Sequence, residues 1–256
     1  MGTSSGTTVV SEQQQEQFRQ EGWFILEHAL DDAQLELLRS FAQAAIDETD
    51  REMDAQGTNV IGLNHRGRRY FASGMAKTRP ALHSFLVSDL MAQICLATIG
   101  PNAFLFHEQY VIKGTSPESA FSWHQDSGYV HEDHEPYLTC WIALDDVTEE
   151  NGTVYLLPYS RSGIRSYVKH WRDPEINDKI GYVGSDPGLP VIVSAGSIAC
   201  FSSVVFHRSG PNLTDQLRRV HVAQYSPDVI TTKDGRPWGG FEQFVRNGQI
   251  LGERTG

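Results

Sequence analysis

The chain has 256 residues, with 39% hydrophobic and 21% charged side chains, a composition of ordinary globular proteins rather than of disordered or fibrous ones. Its net charge of -11 excludes nucleic acid as the main partner, because phosphate binding needs a basic footprint. No run approaches the roughly 18 apolar residues of a membrane span, and three widely spaced cysteines without a CxxC give neither a disulfide framework nor a zinc knot. A reduced, cytoplasmic setting is expected.

In chain order, residues 1–12 are small and polar, lack a secretory core, and read as a disordered arm. Residues 13–100 read as mostly helical. Ser11 and Glu12 can start a helix through Phe18, Gly22 to Leu26 is a short apolar strand, and Asp31 or Asp32 suits an N-cap before Leu35, Leu38, Phe41 and Ala45. Residues 57–80, with Arg66, Arg68 and Arg69, read as a loop or lid. Residues 81–99 read as one further amphipathic helix ending at Gly100-Pro101.

After Pro101 the chain turns to short β-rich runs punctuated by Gly, Pro, Asn and Asp: 103–113, 121–126, 137–144, 154–157, 189–193, 197–201 and 220–225. Such a series indicates a sandwich or barrel, so residues 101–226 are expected to form a jelly-roll core. Residues 227–256 form a C-terminal segment, and its Gly235–Phe241 stretch either covers a pocket or packs the end of the fold. With no internal repeat or linker, the whole chain, 1–256, reads as a single domain.

The chemistry concentrates at His124-Gln125-Asp126. On a strand, residues i and i+2 share a face, so imidazole and carboxylate stand side by side. His207, after the apolar run Cys200–Phe206, can close a two-histidine, one-carboxylate face. That donor set leaves coordination positions open and suits non-heme Fe(II). His207 opens a tight turn, His207-Arg208-Ser209-Gly210-Pro211-Asn212, and the chain returns as Leu217-Arg218-Arg219, which reads as a long hairpin with Arg218 beside His207. Glu150-Asn151-Gly152 is a strong turn signal behind the buried run Thr139–Leu144, in which Trp141 can line a pocket. His131 and His134 read as surface residues of an acidic loop, and His107 can point into the cavity. A solvated surface explains Asp145-Asp146, Glu149-Glu150 and the arginines of 66–69 equally well.

Four segments together resemble the phytanoyl-CoA dioxygenase family of Fe(II)- and 2-oxoglutarate-dependent oxygenases. They are Trp123–Asp126, Trp141 to Asn151-Gly152, Leu157–Ser160, and His207–Asn212 with Arg218, and the resemblance spans about residues 15–225. It implies a mainly β fold with flanking helices, built on a double-stranded β-helix (jelly-roll, cupin-like) core. It implies His124, Asp126 and His207 as iron ligands. Arg218, eleven residues after His207, and Ser209 would hold the 5-carboxylate of 2-oxoglutarate, while Gln109, Gln125 and Trp141 would line the cosubstrate site. The implied activity is O2-dependent hydroxylation, or another oxidation, of an unactivated C–H in a small organic substrate such as a secondary-metabolite intermediate, with release of succinate and CO2. Asp126 favours hydroxylation over halogenation, since halogenases of this class carry a small residue there. The alternatives are an acyl-CoA 2-hydroxylase and a cupin-like metalloenzyme that uses no 2-oxoglutarate. Oligomeric state is not readable from the chain.

Overall fold

The computed structural model describes residues 9–174 and 178–251. Of the expected arm, residues 1–8 lie outside the described residues, but its last residues belong to the fold: Val10 is buried and Ser11 caps helix α1 (Glu12–Glu21). Ser11 Oγ accepts from the backbone N–H of Gln14, and the Gln14 side chain accepts from that of Ser11, so two orphan donors are satisfied at once. Gly22 ends the helix at φ +81°. A Cβ there would lie 2.5 Å from Val205 Cγ2 and 2.6 Å from Tyr159 Cζ. Gly22→Ala is therefore expected to cost roughly 2–4 kcal/mol, left-handed strain plus overpacking, read as a lower midpoint in urea unfolding.

Strand β1 (Trp23–Leu26) follows, and Asp31 opens α2 (Asp32–Gln56) with a second capping box to Gln34. The segment expected to be a loop or lid contains β2 (Val60–Ile61), β3 (Asn64–His65) and β4 (Arg69–Ser73). Its alternation decides this: Tyr70 buries itself against the helices while Arg69 and Phe71 face the other way, and β4 pairs fully with the next long strand. The expected single helix over 81–99 is two, α3 (Pro80–Leu86) and α4 (Asp89–Thr98). Ser88 adopts an extended N-cap conformation that starts a new helix. The stretch Pro80–Thr98 has mean hydropathy of 1.3, near that of a membrane span. Here it delivers Leu82, Phe85, Leu86, Met91 and Ile94 to the core.

The rest is antiparallel sheet: β5 (Ala103–Lys113), β6 (Phe121–His124), β7 (Leu138–Ala143), β8 (Val154–Leu157), a turn of helix α5 (Tyr159–Ser162), β9 (Trp171–Arg172), β10 (Lys179–Ile180), β11 (Leu189–Pro190), β12 (Ile198–Ser202), β13 (Phe206–Ser209), β14 (Arg218–Ser226), β15 (Glu242–Arg246) and β16 (Gln249–Ile250). The larger sheet runs β1-β12-β7-β14-β5-β4-β3-β2, with β15 also on β5. The smaller runs β11-β8-β13-β6. Period-two alternation divides β14 and β7 between two cores. Ala223, Tyr225, Cys140 and Ile142 pack against the helices, while Val220, Val222, Trp141 and Ala143 pack between the sheets. The fold is thus a jelly-roll with helices laid on its larger sheet.

Two sequence expectations fail on topology. His207 lies within β13, not at the head of a turn, because Phe206–Ser209 pairs with β8 on one side and β6 on the other. Nor do β13 and β14 form a hairpin. They belong to different sheets, so Arg218 approaches from the opposite wall. Cys140 and Cys200 stand directly opposite in register and remain buried thiols, as does Cys95.

Candidate metal centre

Strand β6 ends at His124, Gln125 stays extended, and Asp126 opens a 3-10 turn rather than continuing the strand. His124 and His207 are register partners across β6 and β13. The candidate ligand atoms of His124, Asp126 and His207 all lie within 4.8 Å of one another. Each imidazole is aimed by its other nitrogen: Nδ1–H of His124 donates to Ser122 O at 2.7 Å, and that of His207 to Val205 O at 3.2 Å. Both Nε2 lone pairs are therefore free. His207 Nε2 then faces Asp126 Oδ1 at 3.5 Å, a gap between two potential ligand atoms that suits a cation.

Electrostatics favours the ligating forms of His124 and Asp126. Burial, then the neighbouring His207, pulls His124 down to about 3. Burial alone would raise Asp126, but His207, His124 and the Thr139 hydroxyl outweigh it and hold the carboxyl well below its usual range. His170 fastens the motif from behind: its Nε2 accepts from the Gln125 N–H at 2.8 Å while its Nδ1 donates to Val168 O.

On the larger sheet, Arg218 is 1% exposed. Its Nη2 donates to Gly152 O at 2.8 Å and its guanidinium lies over Trp141, 5.6 Å from the ring centre. Nε and Nη1 are buried without a partner. Arg219 faces the other way and pairs with Asp145 at 2.5 Å. Burial pulls Arg218 down to about 10. These orphaned donors are charge-assisted sites open to an anion, on different edges of the guanidinium, since Nε shares its edge with Nη2, as in the Arg219–Asp145 pair. Beside it, Lys113 is fully buried and donates to Ser209 Oγ at 2.7 Å and to Gly210 O at 2.6 Å, which leaves the Ser209 hydroxyl proton free to donate. Burial, then Arg218 and Arg69, pulls Lys113 well below its ordinary value. The residues present thus fit both a divalent metal and a diacid.

Lys113 was not singled out from the sequence, although it stands on the same strand face as His107 and Gln109, which were. Gln109, half-buried on β5 beside Val222 of β14, and Trp141 line the space between the sheets. Gln125 does not. Its amide donates to Ser166 O and Val204 O and accepts from Val168 N–H, so every group is turned away from the ligands. Its removal leaves three backbone groups unpaired, of which Val204 O is buried. Gln125→Leu is expected to cost about 2–4 kcal/mol and to speed proteolysis within residues 161–174. His131 is exposed, and His134 bonds only locally, to Glu132 O and Ser127 Oγ.

Strand β5 pairs with β4 from Gln109 onward and with β15 up to Leu105, so no strand pairs with the edge over Phe106 and His107, while Glu108 O accepts from Gly74 N–H. A cavity of about 470 Å³ sits there, walled by Phe106, Phe241, Leu105 and Lys77, with His107 on its floor. Phe241 stacks on Phe106 at 5.3 Å and Trp238 meets the same ring, so the C-terminal segment both packs the end of the fold and walls the cavity. The basic run at 66–69 is engaged within the protein. Arg66 pairs with Asp50 and Asp54, Arg68 stands 3.9 Å from Glu118, and Arg69 lies over Phe121.

A sequence model described as phytanoyl-CoA dioxygenase matches residues 18–220. Among curated proteins, the chain is 25% identical over 224 residues to the methylphosphonate hydroxylase of Gimesia maris, covering 86% of this chain and 82% of that protein. Among solved structures it is similar to SnoK, a non-heme alpha-ketoglutarate-dependent carbocyclase from nogalamycin biosynthesis. The TM-score is 0.69 and the identity 20%, over 94% of this chain and 99% of that one. EvdO2 from Micromonospora carbonacea var. aurantiaca, solved with 2-oxoglutarate, matches with a TM-score of 0.67 and 21% identity, over 91% and 96%.

Proposed function

The chain belongs to the phytanoyl-CoA dioxygenase family and is an Fe(II)- and 2-oxoglutarate-dependent oxygenase; from that premise we propose that His124, Asp126 and His207 bind the iron and Arg218 the far carboxylate of 2-oxoglutarate. The observation that carries this is that Arg218, on the sheet opposite the three candidate ligands, has two buried donors, Nε and Nη1, without a partner among the described residues. Iron and cosubstrate supply the oxidising chemistry, with succinate and CO2 as by-products. The protein's own residues position it. Arg218 offers buried, charged donors, Ser209 adds a hydroxyl donor oriented by Lys113, and Trp141 and Val222 form a dry wall. Gln109 lines the same space.

The substrate in this reading is a small organic molecule, an intermediate of secondary metabolism, oxidised at an unactivated C–H. It occupies the cavity at the open edge of β5, with its apolar part against Phe106 and Phe241 and a polar group at His107. Acyl-CoA fits less well, because Arg66 of the basic run that would meet its phosphates is already paired with Asp50 and Asp54. The three unpaired thiols accord with a reducing, cytoplasmic setting.

Anaerobic titration of the apoprotein with Fe(II) and 2-oxoglutarate tests the assignment. A weak visible charge-transfer band that needs both components is expected, followed by succinate release once a substrate is supplied. A folded, iron-loaded protein without the band would sink it.

A further inference from the structure

All three proposed iron ligands come from the smaller sheet: His124 ends β6, Asp126 opens the turn after it, and His207 lies on β13. The larger sheet packs Phe201 of β12 on the His207 ring and reaches Asp126 through the side chain of Thr139 on β7. Thr139 Oγ1 donates to Asp126 Oδ2 at 2.5 Å and accepts from Gln224 Nε2 at 3.3 Å. Thr139 and Gln224 are direct register partners on β7 and β14, 1% and 8% exposed, and both face the space between the sheets. Neither was singled out from the sequence.

We propose that Gln224 and Thr139 are positioning residues that restrict Asp126 to one metal-binding oxygen, an inference that rests on the iron assignment above. The argument is one of donor direction. A threonine hydroxyl has a single proton. The Gln224 amide N–H can only donate, so it occupies the hydroxyl oxygen and leaves that proton for the carboxylate. Asp126 Oδ2 is thereby committed to the larger sheet. Oδ1, 3.5 Å from His207 Nε2, is the oxygen left facing the gap.

The consequence is a coordination count. Two imidazoles and one carboxylate oxygen take three positions of an octahedral ion. Three remain, enough for a two-point chelator and one further small ligand. A carboxylate free to bind through both oxygens would take a fourth. The Gln224–Thr139 relay thus keeps open the position that oxygen chemistry needs, and it ties the ligand turn of one sheet to the register of the other. Partners that orient ligands in this way are worth about 10–100-fold in metal affinity.

The test compares wild type with Thr139→Val, which keeps shape without the proton, Thr139→Ser, which keeps the proton, Gln224→Met, and the Thr139→Val/Gln224→Met double variant. Fe(II) dissociation constants come from anaerobic titration of each apoprotein, with unfolding midpoints measured alongside. Thr139→Val is expected to weaken Fe(II) binding about 10–100-fold, and Thr139→Ser to stay within about 3-fold of wild type. Gln224→Met should lose about 3–10-fold, and the double variant should bind no more weakly than Thr139→Val, because Gln224 acts through the hydroxyl. Wild-type affinity in Thr139→Val, or losses that simply multiply in the double variant, overturns the relay. If Thr139→Val does not fold, Gln224→Met decides, and an unchanged affinity there overturns it. Failure of wild type itself to bind Fe(II) would overturn the iron assignment instead.

Discussion

Replacing Arg218 with methionine is expected to abolish 2-oxoglutarate binding while leaving the apoprotein as stable as before, or more so. The two effects have opposite signs because the guanidinium is buried for a partner the chain does not supply. In the apoprotein, Nε and Nη1 have lost water and gained nothing, and one bond to Gly152 O is the direct return. Burying a charge without full pairing is costly, and apolar replacements of similar volume at such places are often neutral or stabilising. Burial already shows as a pKa pulled down to about 10. With 2-oxoglutarate present the balance inverts. Two charge-assisted bonds, each worth about 1.5–3 kcal/mol, imply a loss of affinity of roughly 10²–10⁴-fold. Thermal unfolding separates the two states. At ligand near 100 times its dissociation constant, wild type should gain about 2.7 kcal/mol, or roughly 5–10 °C, and Arg218→Met should gain nothing. Arg218→Lys should not rescue, since a point charge cannot fill a two-pronged site. A ligand-induced shift that survives in Arg218→Met would remove Arg218 from the cosubstrate site.

What could be read from the chain follows how far each interaction reaches along it. Ser11–Gln14 and Asp31–Gln34 are capping boxes complete within four residues, and both appear where the sequence puts them. The His124–Asp126 pair is local as well, although a 3-10 turn rather than strand pleating brings the carboxylate round. Failures occur where the answer depends on another segment. Whether His207 and Arg218 share a hairpin or face each other across a cavity is decided by which sheet β13 joins, and a turn-rich stretch fits either. Gln125, flanked by two candidate ligands, looks like a site residue. Its environment is set by Ser166, Val168 and Val204, forty and more positions away. Lys113 and Thr139 carried no motif. Strand alternation alone, run outward from Gln109 and Trp141, would have put both on the inner face. A buried lysine on that face is itself a sign of an anion.

Asp126→Ala should cost Fe(II) affinity roughly 10²–10³-fold and eliminate succinate formation, and the reason separates this carboxylate from a merely structural one. Asp126 contributes the only negative charge among the three candidate ligands, and without it a divalent ion would enter a buried, neutral two-imidazole site. Breaking a buried, hydrogen-bonded charge pair typically costs about 3–5 kcal/mol. Asp126→Asn is the sharper variant, because it keeps volume and an oxygen while deleting the charge. If its amide oxygen takes the Oδ1 position, its NH2 meets the Thr139 hydroxyl, whose lone pairs already take a bond from Gln224. If the amide flips, Thr139 keeps an acceptor and the NH2 points into the metal gap beside His207 Nε2. Neither orientation presents a charged oxygen to the ion, so Asn should bind Fe(II) hardly better than Ala. Without metal, both variants should remain folded, with unfolding midpoints close to that of wild type. Anaerobic Fe(II) titration and apoprotein melting, measured on the same preparations, resolve this. A variant that loses metal because it has unfolded would show both changes together, and Asn matching wild type in Fe(II) affinity would place the metal elsewhere.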